Sequence, residues 1–282
     1  GWQAVTLRLP AKSLVVLSNS HDLETRKLRH EGIGTYEAGT RSFFLDLTGD
    51  GLWDARKDQI AGFGGKPGDT GLVGDWSRDG YSNVGLFRPG DYTFSQQQDY
   101  DDTWDSGEEW FVRMVGSYDG VGDTGIGLSG NFRGWARNQA VVYYPTDNHF
   151  AFDWDNSRAW DESKDRRQYI HAYSNEVPFS GDWNCDGKDQ VGVYANKTFY
   201  LYGTADFELV DEVGFFRAYA REGDLPVIGD WNGDGCDEMG IYRPRDSVFA
   251  LDLDGDGVMS FKRDFVRGFA PGETPVAGYW RP

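Results

Sequence analysis

Oxygen-bearing side chains recur at a fixed spacing in three short segments of this chain of 282 residues. Each segment has an Asp, a small polar residue two positions later, a second Asp followed by glycine, and an acid or amide at the ninth position. The three sets are Asp75, Ser77, Asp79 and Asn83; Asp182, Asn184, Asp186 and Gln190; and Asp230, Asn232, Asp234 and Glu238. Oxygen atoms at alternate positions of a curled loop can converge on one hard cation, and glycine permits the sharp turn. The spacing therefore predicts calcium-binding loops.

A second kind of acidic turn occurs elsewhere in the chain. Its clearer copies are Asp46, Thr48, Asp50 and Asp54, and Asp252, Asp254, Asp256 and Ser260. Its weaker copies are Asp153, Asp155 and Asp161, and Asp99, Asp101 and Asp105, whereas residues 203–207 have none. Asp-Gly and Asn-Gly are also ordinary hairpin-turn dipeptides, so a single acidic turn is equally consistent with a solvated loop. The repetition favours bound calcium in at least one loop.

The first kind of turn belongs to a longer repeat. Its leading Asp is the middle residue of a tripeptide that occurs five times, as Gly74-Asp75-Trp76, Gly130-Asn131-Phe132, Gly181-Asp182-Trp183, Gly229-Asp230-Trp231 and Gly278-Tyr279-Trp280. Successive glycines are separated by 56, 51, 48 and 49 residues. An apolar segment follows each of the first four copies, as in Val191-Gly192-Val193-Tyr194. Linked markers in the same order indicate an internal repeat.

The repeat positions the acidic turns between short strands. In the best-preserved unit, residues 226–229, 239–243, 248–251 and 265–269 read as four strands separated by turn residues. Four antiparallel strands per repeat of about fifty residues are typical of a propeller blade. Because no segment has a sustained helical period, a helical solenoid is excluded.

The two ends of the chain predict how the ring closes. The C-terminal unit stops after its first strand, residues 274–280, and residues 33–36 and 42–45 read as the missing second and third strands. A blade shared by both ends removes the open sheet edges that favour aggregation. The prediction is an all-β fold, a five-bladed β-propeller of four-stranded antiparallel blades over residues 33–282. Residues 1–32 form an N-terminal extension.

Residues 226–235 resemble the FG-GAP and VCBS class of calcium-binding propeller repeats. The resemblance extends over about residues 33–282 and is specific at the hairpin loops. It implies that the carboxylates of the three loops of the first kind, which begin at Asp75, Asp182 and Asp230, bind calcium ions that stabilise the fold. It also implies an extracellular or cell-surface location and a role in binding or adhesion. The chain departs from the family in the loop that begins at Asn131, which has lost its acids and gained Arg133 and Arg137, so no metal is expected there.

The N-terminal extension has two interpretations. Residues 5–17 resemble the last strands of the β-sandwich that closes many glycoside hydrolases, which implies the tail of a larger carbohydrate-active enzyme. Alternatively, the extension packs on the propeller, or it is donated as a strand to a neighbouring subunit of an extracellular filament or surface assembly.

The charge of the chain limits the classes of partner that it can bind, and its two cysteines bear on the compartment in which it works. There are 46 acidic and 28 basic residues, and the net charge of -18 repels nucleic acid and anionic membranes while favouring divalent cations. No apolar run reaches the length of about eighteen residues that a membrane span requires. Cys185 and Cys236 fall in equivalent loops of adjacent units, on the same face. A disulfide is expected in an oxidising compartment, with two free thiols as the alternative.

Nothing in the chain stands out as a catalytic centre. The four histidines lack zinc-site spacing, and neither a nucleophile elbow nor a phosphate-binding glycine loop is present. A glycosidase-like carboxylate pair is a rival hypothesis, although the clustered acids follow the repeat. The aromatic residues outside the repeat are candidates for binding a carbohydrate or protein ligand: Trp104, Trp110, Trp135, Tyr144, Trp154 and Trp160. Tryptophans of the repeat should pack within blades. We therefore expect a non-catalytic binding or adhesion module.

Overall fold

The regular structure of this chain consists of β-strands. The computed structural model describes residues 30–281 except 63, 98–109, 115–124, 136, 172, 174, 204–208, 214–218, 259 and 261. Twenty strands and no helix occur in this part of the chain. The strands are β1 (Gly32–Glu37), β2 (Ser42–Leu45), β3 (Gln59–Gly62), β4 (Thr70–Gly74), β5 (Asn83–Arg88), β6 (Thr93–Gln96), β7 (Trp110–Arg113), β8 (Ile126–Gly130), β9 (Gln139–Tyr144), β10 (His149–Phe152), β11 (Arg166–Tyr169), β12 (Val177–Gly181), β13 (Gln190–Ala195), β14 (Thr198–Tyr202), β15 (Leu209–Val213), β16 (Leu225–Gly229), β17 (Glu238–Arg243), β18 (Val248–Leu251), β19 (Phe265–Gly268) and β20 (Thr274–Gly278). Among the described residues there is accordingly no apolar helix long enough to cross a bilayer.

The strands form five antiparallel sheets of four strands each. We number them as blades: blade 1 has the order β20-β1-β2-β3, blade 2 runs from β4 to β7, blade 3 from β8 to β11, blade 4 from β12 to β15, and blade 5 from β16 to β19. The first strands β4, β8, β12, β16 and β20 contact one another in a closed order, which makes them the inner wall of a ring. The fold is the five-bladed β-propeller that the repeat predicts.

The ring closes through blade 1, as predicted. Strand β20 from the C-terminal end pairs with β1, so that Val276 lies opposite Gly34 and Pro275 opposite Thr35. On its other side β1 pairs with β2, which pairs in turn with β3. Strand β1 begins at Gly32, one residue before the predicted start of the propeller. Both ends of the propeller are therefore fixed in one sheet.

The glycine of the repeated tripeptide makes room for the aromatic ring two residues later. A Cβ atom on Gly74 would lie 2.6 Å from the ring of Trp76, and one on Gly130 would lie 2.8 Å from the ring of Phe132. Each ring can fold back over its own strand only because the first residue has no side chain. Trp76, Phe132 and Trp231 are buried, as expected if the repeat aromatics pack within the blades.

Glycines of the first strands allow neighbouring blades to approach closely. A Cβ atom on Gly71 would lie 2.4 Å from Cβ of Tyr36 in blade 1, and one on Gly127 would lie 2.3 Å from Cγ of Phe87 in blade 2. Tyr36 and Phe87 are buried, with exposures of 1% and 0%. Aromatic rings therefore fill the space between blades, where their large buried area stabilises the ring of sheets.

Buried ion pairs fasten the segment before a first strand to the second strand of the same blade. Asp69 accepts two hydrogen bonds from Arg88, at 3.0 and 2.8 Å, and Asp224 accepts two from Arg243, at 2.9 and 2.7 Å. Both carboxylates are buried. Because a bidentate guanidinium satisfies both carboxylate oxygens, each pair anchors the entry to its blade.

Candidate functional site

The leading Asp of the first hairpin loop organises the backbone of that loop. In blade 5 the Asp230 carboxylate accepts hydrogen bonds from the amides of Gly233, Asp234 and Gly235, at 2.6, 3.0 and 3.0 Å. The loops of blades 2 and 4 repeat this arrangement. A side chain that satisfies several successive amides holds the loop in a tight curl. The remaining polar side chains of the loop are thereby kept near its centre.

The blade-5 loop brings together the residues predicted for it. Carboxylate oxygens of Asp230, Asp234 and Glu238 lie within 4.8 Å of one another. Asp230 and Glu238 are buried, whereas Asp234 is exposed. Asn232 donates a hydrogen bond of 2.6 Å to Glu238, and its carbonyl accepts one of 2.8 Å from the Asp234 amide. The loop thus offers four oxygen-bearing side chains in one place.

The loops of blades 2 and 4 have amides where blade 5 has Glu238. Asn83 and Gln190 are buried, with exposures of 2% and 1%. Among the described residues, neither polar atom of the Asn83 amide has a hydrogen-bond partner, and Oε1 of Gln190 has none. A buried carbonyl oxygen without a partner, next to an acidic loop, fits a ligand for a calcium-type cation.

The second kind of turn lies between the third and fourth strands, and it contains one acid more than the sequence pattern indicated. In blade 5, carboxylate oxygens of Asp252, Asp254 and Asp256 lie within 4.8 Å of one another. Asp264, the thirteenth residue of the turn, accepts a hydrogen bond from the amide of Ser260. Oδ1 of Asp252 and Oδ1 of Asp264 have no hydrogen-bond partner in the described part of the chain. Asp252 is 1% exposed, so its unpaired oxygen is buried without compensation from the described residues.

The equivalent turn of blade 3 also has an acid, Asp165, at its thirteenth position. Carboxylate oxygens of Asp153, Asp155 and Asp165 lie within 4.8 Å of one another. The predicted third member, Asp161, lies outside this group, and its carboxylate pairs with Lys164 at 3.0 Å. The structure therefore replaces Asp161 by Asp165 in this set.

The turn of blade 1 is organised by its first acid. Asp46 accepts hydrogen bonds from the amides of Gly49 and Gly51, at 2.8 and 2.6 Å. Asp58 accepts one of 2.6 Å from the amide of Asp54, and its Oδ1 has no partner among the described residues. This turn does not bring three acids within 4.8 Å of one another in the part of the chain that is described. The predicted set of Asp46, Thr48, Asp50 and Asp54 therefore stays a prediction.

Burial and neighbouring charges raise the pKa of at least one acid in each group of converging carboxylates. Burial, followed by the charges of Asp234 and Asp230, raises the pKa of Glu238 to about 8. Burial, followed by the charge of Asp264, raises the pKa of Asp252 to about 6. In blade 3, burial has the largest effect and the charge of Asp165 adds to it, and together they raise the pKa of Asp153 to about 7. These carboxylates repel one another, and a bound divalent cation would neutralise that repulsion.

A disulfide joins two of the acidic loops. Cys185 in the blade-4 loop is bonded to Cys236 in the blade-5 loop, across a sequence separation of 51 residues. The pairing confirms the prediction and excludes two free thiols. Since each cysteine lies among the candidate ligands of its loop, the bond also holds the two acidic loops next to each other.

Sequence reasoning missed a set of acids that join neighbouring blades. Asp189 accepts a hydrogen bond of 2.7 Å from the amide of Asn131 in blade 3, and Asp237 accepts one of 2.7 Å from the amide of Asp182 in blade 4. Glu31 takes the equivalent place in blade 1, where its amide donates to the carbonyl of Asp230 at 2.8 Å. Each of the three acids stands one residue before a second strand, and that shared position is the signal that could have identified them.

The same acids line the central channel of the propeller. The channel has a volume of about 290 Å³ and is walled by the five first strands, with Leu72, Leu128 and Phe179 among its lining residues. Burial, followed by the charges of neighbouring acids, raises the pKa values of Glu31, Asp189 and Asp237 above their ordinary range. One end of the channel is therefore acidic and its wall is largely apolar.

An exposed indole lies on the first loop of blade 3, where this loop has lost its acids. Trp135 is 40% exposed. The guanidinium of Arg133 lies 3.5 Å from the centre of the Trp135 ring and 5.3 Å from that of Trp154, and it donates a hydrogen bond of 3.0 Å to the carbonyl of Trp154. Arg166 lies 5.4 Å from the other indole, that of Trp154. Stacked guanidinium and indole groups hold Trp135 as a platform whose outer surface faces solvent.

The remaining ligand candidates have different outcomes. Trp160 is half-buried beside Arg167, whose guanidinium lies 4.7 Å from its ring centre. Tyr144 is fully buried, so the prediction that it contacts a ligand was wrong: its ring packs on His149 at 4.7 Å. Trp104 and the side chain of Trp110 lie outside the described residues. So do Asp99, Asp101 and Asp105, residues 204–207 and residues 1–29 of the N-terminal extension.

The chain was compared with protein families, curated proteins and solved structures. Neither the family models nor the curated proteins give a match. Among solved structures, a lectin from Agrocybe aegerita that recognises non-reducing terminal N-acetylglucosamine is 11% identical, with a TM-score of 0.40, over 86% of this chain and 63% of the lectin. Apo AztD from Citrobacter koseri is 12% identical, with a TM-score of 0.38, over 89% of this chain and 74% of that one. A protein of unknown function from Bacteroides caccae is 8% identical, with a TM-score of 0.39, over 86% of this chain and 85% of that one. The chain spans less than two thirds of the length of the lectin, and similarities of this size decide nothing about function.

Proposed function

We propose that this chain is a secreted or cell-surface binding module without catalytic activity, that calcium stabilises it, and that its ligand is a carbohydrate. The observation that carries the proposal is the blade-5 loop, in which Asp230, Asp234 and Glu238 converge although the loop offers their carboxylates only neutral hydrogen-bond donors. Residues 230–238 contain no Lys or Arg. Burial raises the pKa of Glu238, and a buried carboxylate next to other acids is stable only if a proton or a cation compensates its charge.

Calcium fits the chemistry of these loops better than a transition metal. The donors are carboxylate, amide and hydroxyl oxygens, which suit a hard cation, and no histidine belongs to the three groups of converging acids found in the described residues. Asp230, Asn232, Asp234 and Glu238 would hold the ion in blade 5. Bound calcium would neutralise the repelling carboxylates and so stabilise the folded loops.

Trp135 is the residue on which we place the carbohydrate. A sugar ring packs its C–H face on an exposed indole, and the Arg133 guanidinium on the opposite face of Trp135 fixes that indole in place. Fixing the platform before binding lowers the entropy cost of ordering it. The aromatic surface lies on the first loop of blade 3, which has lost the acids of the pattern and carries Arg133 and Trp135.

An extracellular location is supported by two properties of the chain. The disulfide between Cys185 and Cys236 persists in oxidising compartments, and calcium concentrations there suit loops of moderate affinity. The net charge of -18 favours cations over nucleic acid or anionic lipid as partners.

The test combines a glycan array with thermal melting. In calcium, the chain should bind a glycan class, and Trp135→Ala should weaken that binding by about tenfold or more, because stacking on an indole is lost. Phe111→Ala is the matched control, since Phe111 is 41% exposed on another blade. In EDTA at low salt the melting temperature should fall, because calcium at a hundred times its dissociation constant adds about 2.7 kcal/mol per site. Equal glycan binding by both variants would remove the carbohydrate proposal, and an unchanged melting temperature would remove calcium.

A further inference from the structure

The second kind of acidic turn contains a basic residue that the sequence pattern does not include. It stands at the twelfth position, immediately before the last acid of the turn. The three pairs are Lys57 and Asp58 in blade 1, Lys164 and Asp165 in blade 3, and Arg263 and Asp264 in blade 5. A calcium loop would ordinarily have a bidentate acid at this position, so a base there requires an explanation.

Each of these basic side chains lies against the acids of its own turn. The Arg263 guanidinium is 2.5 Å from a carboxylate oxygen of Asp254 and 2.5 Å from one of Asp256. In blade 3, Nζ of Lys164 is 3.8 Å from a carboxylate oxygen of Asp155, and in blade 1, Nζ of Lys57 is 3.6 Å from one of Asp54. The contacts are closest in blade 5, where one guanidinium bridges two acids.

Arg263 compensates only the outer part of the blade-5 turn. The side chains of its two partners are 31% and 35% exposed. Asp252 is 1% exposed, and its Oδ1 has no hydrogen-bond partner among the described residues, nor does Oδ1 of Asp264. A buried carboxylate oxygen without a partner is costly, and it points to a ligand that the chain itself does not supply.

We propose that Asp252, Asp254, Asp256 and Asp264 form a divalent-cation site in which Arg263 is the resident counter-ion that the metal displaces. The inference rests on the proposed function, because it takes calcium as the metal. The Arg263 guanidinium carries one positive charge and lies on the solvent side, so it neutralises only part of the negative charge of the four carboxylates. A small divalent cation can also contact the buried oxygens that the guanidinium does not reach. Binding is therefore an exchange, in which the ion pairs of Arg263 break as the metal enters.

The exchange makes this site weaker than the first loop of the same blade. Residues 230–238 contain no basic side chain, so a cation entering there displaces nothing with charge. At the second turn, part of the binding free energy is spent on separating Arg263 from Asp254 and Asp256. The two loops of blade 5 should thus bind calcium in two separable steps, with the first loop filling before the second.

The test is a calcium titration by isothermal calorimetry at low ionic strength, on the full chain. Arg263→Gln removes the counter-ion without changing the acids, and it should tighten the weaker calcium step by about tenfold, the effect of losing two exposed ion pairs. Arg245→Gln, an exposed residue at the β17–β18 turn, is the control for the same loss of charge in blade 5 and should leave that step unchanged. The double variant Arg263→Gln with Asp254→Asn should lose this increase in calcium affinity, because one of the carboxylate ligands is gone. An Arg263→Gln chain with the affinities of the wild type would overturn the inference.

Thermal melting supplies a second readout and separates this inference from the proposed function. In EDTA, Arg263→Gln should melt below the wild type, because the turn has lost its counter-ion, and saturating calcium should abolish the difference. Asp234→Asn, in the first loop, should weaken the tighter calcium step. If Asp234→Asn has that effect while Arg263→Gln changes neither readout, the inference fails and the calcium proposal stands. If calcium binds to none of the chains, both fail.

Discussion

At the scale of single residues, the ninth position of the first loop distinguishes the cation sites of adjacent blades. Glu238 in blade 5 and Gln190 in blade 4 are equivalent, and both are buried. Glu238→Gln should weaken calcium binding by about tenfold or more, because a charged ligand becomes neutral. In EDTA at pH 7.5 the same variant should melt no lower than the wild type, because Gln needs neither the proton nor the buried charge that Glu238 must carry beside Asp234 and Asp230. Calorimetry and melting curves with and without calcium measure both effects.

The chain supplies its own control for this prediction. Gln190→Glu places an acid beside Asp182 and Asp186, so it should tighten calcium binding in blade 4 and lower the melting temperature in EDTA. Reciprocal changes of this kind separate a ligand from a residue that only packs, because a packing residue would lose stability in both directions and under both conditions. Loss of stability by Glu238→Gln in EDTA as large as in calcium would contradict the ligand role.

At the scale of elements, the disulfide is the covalent link between blades 4 and 5. In the chain-entropy picture, a bond that closes a loop of 51 residues stabilises the fold by about 4 kcal/mol. The double variant Cys185→Ser with Cys236→Ser should therefore melt at a lower temperature, both in calcium and in EDTA. Cys185 is exposed and Cys236 is half-buried, so the loss should come from the missing bond rather than from a cavity.

Reduction of the wild-type chain tests the same point without a substitution. A chain whose thiols have been shown to be free should melt at the temperature of the double variant, and reductant should leave the double variant unchanged. Melting of the fully reduced chain at the temperature of the oxidised one would show that the bond contributes nothing to the stability of the two loops.

Turns and strands could be predicted from the sequence because local chemistry determines them. Residues 42–45 and 248–251 were assigned as strands with the observed limits, since glycine and acidic residues mark the turns on both sides. The aromatic residue of the tripeptide was predicted to pack within the blade, and it does so because the glycine two residues before it leaves room for the ring. Tyr144 was misjudged because both faces of a blade are covered by neighbouring blades, so the whole of β9 is buried and shows no alternation.

The acids that the sequence did not reveal depend on contacts beyond the recognised pattern. Asp58, Asp165 and Asp264 lie four residues after its last position, in segments without a repeat marker, and their place becomes clear only once the turn is folded. Asp189 and Asp237 act on the amides of other blades, so their role depends on the order of the blades around the ring. Spacing along one chain segment does not contain that information.

At the scale of the whole molecule, the fold concentrates negative charge that it does not neutralise itself. The residues just before the second strands of three blades, Glu31, Asp189 and Asp237, lie at one end of the central channel, while the hairpin loops bring further acids together on the same face. The closed ring prevents these groups from moving apart. Proton binding and cation binding are therefore alternative ways to stabilise the same propeller. The dependence of the melting temperature on pH, with and without calcium, should reveal both.

Stability without calcium should increase as the pH falls from about 8 to about 5. Burial and like charges raise the pKa of Glu238 to about 8, that of Asp153 to about 7 and that of Asp252 to about 6. In the unfolded chain the pKa of Asp is about 3.9 and that of Glu about 4.3. Because the folded values are the higher ones, folding takes up protons, and this contribution to stability is lost as the pH rises through them. Melting curves in EDTA across this range should show the trend.

Two further measurements assign the trend to these carboxylates. Saturating calcium should flatten the profile, because a bound cation favours the charged form of each carboxylate and so removes the proton uptake. Asp189→Asn, which copies the Asn138 found at the same position in blade 3, should raise the melting temperature at pH 8 and have little effect at pH 5, where the raised pKa of Asp189 already keeps the carboxyl protonated. A melting temperature in EDTA that falls between pH 8 and pH 5.5 would show instead that exposed ion pairs, such as that of Asp161 with Lys164, determine the pH dependence.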